Sequence, residues 1–283
     1  MRGFNEKKLG LSSLLFPKAS IEDTVKFSAG LGAKCVEVIF DIPYFPPDFD
    51  MKELDRLREL INSHELEVSV HASIWDINPV SHYREVRELA TAQVKKSIDA
   101  CYHLGGEVVV THPGHCSVLE VKALLRGARD RYREFVKECW RHAQERGVTF
   151  TIENIDRADF PYSTVDEIKL LAREFDGLGI TFDIGHAYLA RRREGSKVPE
   201  KEIVEAIKKA GGDLVHIHIH DNKGLRDDHL PPGDGNIDFK PIISTLKSMR
   251  YGGQLVAELW DPKNPFETGR RGLENIRKLL GPS

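Results

Sequence analysis

The chain is short of the features that settle a protein's class quickly, and each absence excludes something. Its four cysteines, Cys35, Cys101, Cys116 and Cys139, are spread through 283 residues with no CxxC pairing. A disulfide framework or a thiolate zinc site is therefore not expected. Methionine is scarce, with three residues, while 30% of residues are charged, a balance that leans toward a thermophile. The opening stretch MRGFNEKKLGLSSLLF has no apolar core of the signal-peptide kind. No run of about 18 apolar residues occurs anywhere, so no membrane span is expected and the chain reads as cytoplasmic. The formal net charge of −3 points to no polyanionic partner, so nucleic-acid binding would need a local basic patch. No glycine-rich phosphate fingerprint follows the first strand pattern, which counts against an open, doubly wound nucleotide-binding sheet. No linker or shift of composition divides the chain, and a single domain over residues 1–283 is expected.

What the sequence does contain is regular alternation. Short runs rich in β-formers stand at 9–16, 35–40, 67–73, 107–114, 149–155, 179–187, 214–221 and 254–260. Amphipathic helical patterns separate them, such as SIEDTVKFSAGLG, where Ser20 reads as an N-cap with Asp23 in a capping-box-like position. Gly32, Gly105–Gly106, Gly147, Gly211–Gly212 and Gly252–Gly253 fall just before the next strand, as helix-to-strand turns should. Eight strand–helix units with right-handed crossovers predict a closed (β/α)8 TIM barrel, an α/β fold that typically runs near 250 residues.

Active sites of such barrels lie at the C-terminal ends of the strands. Those ends carry His71, then His112 in THPGH, Glu153 in IEN, Asp183 and His186 in DIGH, and His218 and His220 in HIHIHD. Asp227 and His229 follow in the next loop, and Glu258 stands in AELW. Six consecutive strands thus end in a metal-capable or acid–base side chain, where strand interiors normally carry Val, Ile and Leu. Buried carboxylates need pairing or metal coordination to stay ionised. Histidine with aspartate and glutamate, and no thiolate, suits Zn2+ or Mn2+. In LVHIHIHD, residues 214–221, His216, His218 and His220 share one strand face, and each step of two residues advances about 6.5 Å. They cannot all reach one ion. His216, the deepest, reads as a hydrogen-bonded core histidine, and spacing alone does not choose between His218 and His220.

In order, VHAS, HPGH, IEN, FDIGH, HIHDNK, DDHLPPGDGNIDF and AELW resemble the xylose-isomerase-like barrel superfamily. That group contains endonuclease IV as well as sugar isomerases and epimerases. The resemblance implies a core metal site of Glu153, Asp183, His218 and Glu258, His218 being preferred because it leads the pattern completed by Asp221 and Lys223. Endonuclease IV has further ligands for a three-zinc cluster. They correspond here to His71 and His112 for one ion, and to His186, Asp227 and His229 for another. Sugar isomerases of the group commonly lack the histidines at the third and fourth strands. The full set of nine therefore implies a zinc-dependent phosphodiester hydrolase with up to three Zn2+, cleaving abasic duplex DNA in DNA repair. The alternative is a sugar or sugar-phosphate isomerase or epimerase using Mn2+ or another divalent metal, with Glu153 and Glu258 moving a proton and His186 orienting the substrate. No protein partner is implied.

The sequence also departs from endonuclease IV. His71 is followed by Ile74, Trp75 and Asp76, where that enzyme has a tyrosine three positions on. The loop before the Asp-x-His pair is shorter, His220 stands where that family has asparagine, and FDIGH lacks flanking cysteines. The second-strand loop DIPYFPPDFD is acidic and has no arginine to enter a DNA helix. Candidates for gripping a phosphate are Arg191, Arg192, Arg193 and Lys197, read as a loop at the mouth, with Lys223 and Arg226 further on. Trp75, Trp260 and Tyr44 are candidates to stack on a sugar or base.

Overall fold

The computed structural model describes residues 8–46, 48–116, 121–157 and 159–281. Residues 1–7 of the opening stretch, and with them both ends of the 1–283 span, lie outside the described residues. Eight parallel strands run Leu9–Ser12 (β1), Cys35–Ile39 (β2), Glu67–His71 (β3), Val108–Thr111 (β4), Thr149–Glu153 (β5), Gly179–Asp183 (β6), Leu214–Ile219 (β7) and Gln254–Ala257 (β8). Each pairs with the next, and β1 pairs with β8, so the ring closes. The (β/α)8 barrel is thus the observed architecture.

Among the described residues nine α-helices connect and cover the ring: Ile21–Gly30 (α1), Leu54–Ser63 (α2), Arg84–Leu104 (α3), Lys122–Gln144 (α4), Val165–Ala172 (α5), Ile184–Arg193 (α6), Pro199–Ala210 (α7), Phe239–Ser248 (α8) and Pro265–Leu280 (α9). Local chemistry sets their ends. Ser20 accepts a hydrogen bond from the Asp23 N–H at 3.1 Å and starts α1, as its sequence position suggests. Gly105, at φ +78°, ends α3 in the left-handed conformation that glycine adopts without cost. The outer faces of the strands and the inner faces of the helices form one apolar core, with Val36, Val38, Val109, Phe150, Phe182 and Leu246 fully covered.

Every strand begins within one residue of its expected position, but several stop early. The run 179–187 was read as strand throughout; the strand ends at Asp183 and Ile184 opens α6. The reason is a cap: Asp183 Oδ1 accepts the His186 N–H at 2.6 Å. Likewise Ser13–Leu15 is a 3-10 turn, its start bonded to the Ser12 hydroxyl. Each early stop turns the chain at the barrel mouth, where the polar residues stand.

The barrel interior is polar to an unusual depth. Glu37 on β2 lies 3.0 Å from His216 Nε2 and 3.1 Å from His218 Nε2 on β7. Those strands are not neighbours in the ring, so the three side chains meet across its interior. Thr151 and Thr181 hydroxyls hydrogen-bond at 2.6 Å nearby.

Candidate metal centre

The nine expected ligands, with Glu37, His216 and His220, fall in overlapping groups at and below the mouth. A deep group contains Glu153, Asp183, His218 and Glu258, the ends of β5 and β6, the upper part of β7 and the residue after β8, all buried. His218 Nδ1 lies 3.4 Å from Glu153 Oε2, 3.5 Å from Glu258 Oε2 and 3.8 Å from Asp183 Oδ2. Its other nitrogen faces the Glu37 carboxylate, which only accepts, so Nε2 carries the proton of the neutral ring and Nδ1 presents a lone pair. A lone pair aimed at three carboxylates is repulsive unless positive charge lies among them. Neither His218 Nδ1 nor Asp183 Oδ2 has a hydrogen-bond partner, a state that costs about 1–3 kcal/mol per buried group. One imidazole nitrogen and three carboxylates fit a divalent cation such as Mn2+ or Zn2+.

Burial pushes the His218 pKa down, but Glu37, Glu258 and Glu153 outweigh it and hold the ring well above its ordinary value. Burial pushes Glu153 up, yet His218 and His112 hold it well below the usual carboxylate range. The pocket therefore demands a positive charge, from protons or from a cation.

A second group shares Glu153. His71 Nε2 and His112 Nε2 are 3.1 Å apart, and His112 Nε2 is 3.1 Å from Glu153 Oε2. His71 Nδ1 lies 3.0 Å from the Ala72 carbonyl and must donate there, so Nε2 is left as a bare acceptor. Ring orientation by a backbone carbonyl is the usual arrangement behind a metal-bound histidine. The third group is His186, His220, Asp227 and His229 at the rim. His229 Nδ1 donates to the Glu258 carbonyl at 2.8 Å, and Nε2 lies 2.9 Å from Asp227 Oδ2. His229 sits at φ +47°, a conformation that costs a non-glycine residue of order 1–3 kcal/mol.

The nine residues expected from the sequence lie together here, and Glu37, which sequence reasoning did not single out, stands beside them. Glu37 left a signal, a carboxylate in the middle of the apolar strand CVEVI. Spacing leaves His218 and His220 open and the resemblance prefers His218; His218 lies in the deep group and His220 at the rim. His216 lies fully buried beneath them, as its depth suggested, with burial pushing its pKa down.

The expected phosphate-gripping residues lie elsewhere. Arg191, Arg192 and Arg193 form the last turn of α6 and not a loop, because Asp183 starts that helix early. Arg191 pairs with Glu194 and Glu202, Arg193 with Asp156, and Arg192 donates to the Ser196 carbonyl. Lys223 and Arg226 are exposed in the loop after β7, Arg226 standing 3.8 Å from Asp228. Trp75 and Trp260 share an apolar concavity of about 280 Å3 with Leu14, Ile39, Ile42 and Tyr44. These residues follow β1, β2, β3 and β8, so the concavity opens at the same end of the barrel as the ligands.

Residues 25–279 match the xylose isomerase-like TIM barrel family. The chain belongs to that family. An uncharacterised protein of Methanocaldococcus jannaschii is 31% identical over 259 residues, which are 89% of this chain and 84% of that one. A solved D-tagatose 3-epimerase-like protein superposes with a TM-score of 0.81 at 29% identity, covering 96% of this chain and 97% of the other. Inosose dehydratase of Histophilus somni is 30% identical over 166 residues, 52% of this chain and 49% of that enzyme. Among the described residues of the present chain no helix is long and apolar enough to cross a membrane, and all four cysteines are free and buried.

Proposed function

We propose that the protein is a divalent-metal-dependent epimerase or isomerase of a small sugar. The observation that carries the reading is the deep group, in which Glu153 and Glu258 approach one point from the ends of β5 and β8. A cation held by Glu153, Asp183, His218 and Glu258 would polarise adjacent sugar oxygens as a Lewis acid. Glu153, kept ionised by the neighbouring histidines, takes the proton from the carbon beside the carbonyl. Glu258 faces the same point from β8 and is placed to deliver a proton from the other side, to the same carbon for an epimerase or to its neighbour for an isomerase. His186, with Nδ1 3.0 Å from Glu153 Oε1, holds that carboxylate in place and orients the substrate. Trp75, Ile42 and Trp260 exclude water along the carbon chain. The four unpaired thiols suit the reducing cytoplasm.

A second reading, a zinc hydrolase of abasic duplex DNA, is favoured by the complete set of nine ligands and by Glu153 serving two groups. Against it, Arg191 and Arg193 are paired with carboxylates of their own chain, which leaves Lys223 and Arg226 to contact phosphate. The two readings separate in one experiment. Metal-loaded protein is incubated in D2O with a panel of ketoses, and separately with a duplex carrying one abasic site. Deuterium incorporation beside the carbonyl is expected, reduced about 10²- to 10⁴-fold in Glu153→Gln. No exchange with any ketose, together with metal-dependent nicking of the duplex, would overturn the sugar reading in favour of the hydrolase.

A further inference from the structure

His220 is the residue at the rim that neither the sugar reading nor the resemblance to endonuclease IV uses. It is fully buried, and neither ring nitrogen has a hydrogen-bond partner with acceptable geometry. Its Nε2 lies 3.1 Å from Asp183 Oδ1 and 3.8 Å from Asp227 Oδ1. Its ring stacks on that of His229, with centroids 4.1 Å apart and planes at 18°. The ligand atoms of His186, His220, Asp227 and His229 all fall within 4.8 Å of one another.

A second observation is independent of that cluster. A Cβ at Gly185 would stand 2.0 Å from His220 Cε1 and 2.5 Å from Nε2. No real side chain tolerates such an approach, so the backbone of DIGH leaves a slot that the His220 ring fills. The ring is held against the start of α6 with Nε2 between the carboxylates of Asp183 and Asp227.

We propose that His220 is the fourth protein ligand of a rim metal site, completed by His186, Asp227 and His229, and that this site is structural. Three imidazoles and a carboxylate suit Zn2+ in a tetrahedral shell. Structural zinc sites are closed by four protein ligands, whereas catalytic ones keep a position for water or substrate. With asparagine in place of His220 three strong ligands would remain and the site would stay open; with histidine it is filled. The rim ion then joins the start of α6, the end of β7 and the loop after β7, and pins that loop over the mouth. The proposal does not depend on which reaction the deep group performs.

The test is cobalt titration of the purified full-length protein after chelation, read by visible absorption. Co2+ in a closed tetrahedral shell gives intense d–d bands, and five- or six-coordinate Co2+ gives weak ones. The unaltered protein should show one intense tetrahedral component. His220→Asn should lose that component, with affinity at the rim falling by at least the 10- to 100-fold that loss of a mere outer-shell partner causes. Gly185→Ala, which displaces the ring without touching a ligand atom, should do the same. Zinc loading should slow proteolysis between residues 222 and 238 in the unaltered protein and much less in either variant. Because Gly185→Ala could disturb folding, both variants are compared with the parent after chelation, where His220→Asn should melt near the parent. Unchanged cobalt spectra and affinity in His220→Asn, or no tetrahedral component in the parent, would overturn the proposal.

Discussion

Glu37 is a carboxylate where a strand covered on both faces normally carries valine or isoleucine. It touches no candidate substrate position; it faces His216 and His218 and thereby decides which nitrogen of His218 is bare. It is a positioning residue for the deep site. Glu37→Leu should weaken metal binding there by about 10- to 100-fold, measured by competition with a chromophoric chelator. Glu37→Gln keeps an acceptor for the His218 N–H and should recover most of the affinity. Equal affinity in the parent and the leucine variant would show that His218 is oriented by packing alone. The same residue marks a limit of sequence reading. A lone glutamate in CVEVI is visible, but its partners are 179 and 181 residues away in chain order, and only ring closure brings them together.

At the scale of elements, Asp221 does for the loop after β7 what a metal ligand does for a site. Its carboxylate accepts N–H bonds from Asn222, Gly233, Gly235 and Ile237 at 2.8–3.1 Å. Gly235 lies so close that a Cβ there would stand 2.2 Å from Asp221 Oδ1. Asp221→Ala strands four backbone donors, and unpaired donors cost about 1–3 kcal/mol each before relaxation and water recover a part. Faster cleavage between residues 222 and 238 under limited proteolysis is expected, along with weaker binding at the rim, while the deep group keeps its metal. A cleavage rate equal to the parent's would mean that the loop is held by its prolines and the Asp221–Leu230 backbone pair alone. The resemblance supplied Asp221 as part of a motif without a role, and its four bonds needed coordinates. Strand starts were legible because glycine turns and apolar runs mark them. Strand ends were not, because polar mouth residues such as Asp183 and Ser12 cap the next turn instead of extending the ladder.

For the whole molecule, the mouth couples stability to pH in opposite senses with and without metal. Burial pushes His229 down, but the bond and charge of Asp227 outweigh it and raise its pKa to about 9. Burial pushes Asp227 up, but His186 and His229 hold it well below its ordinary value. In the chelated protein, His229 contributes stability that is complete below its ordinary value of 6.5 and lost as pH climbs through about 9. Asp227 contributes stability that is complete above its ordinary value of 3.8 and lost only as pH falls through its depressed one. Chelated protein should therefore be firmest between about pH 4 and 6.5. Metal binding needs neutral imidazoles, so its contribution grows above that window. The Tm difference between loaded and chelated protein should widen from pH 6 to pH 9, and a constant or narrowing difference would count against imidazole ligation.

The deep ligands come from β5, β6, β7 and the residue after β8, and the orienting carboxylate comes from β2. During synthesis β8 is the last strand to leave the ribosome, and Glu258 follows it. A nascent chain long enough to fold most of its helices still lacks one wall of the deep site and the pairing of β8 with β1. Filling of that site therefore cannot precede the synthesis of β8, and an ion held there would certify that the ring has closed.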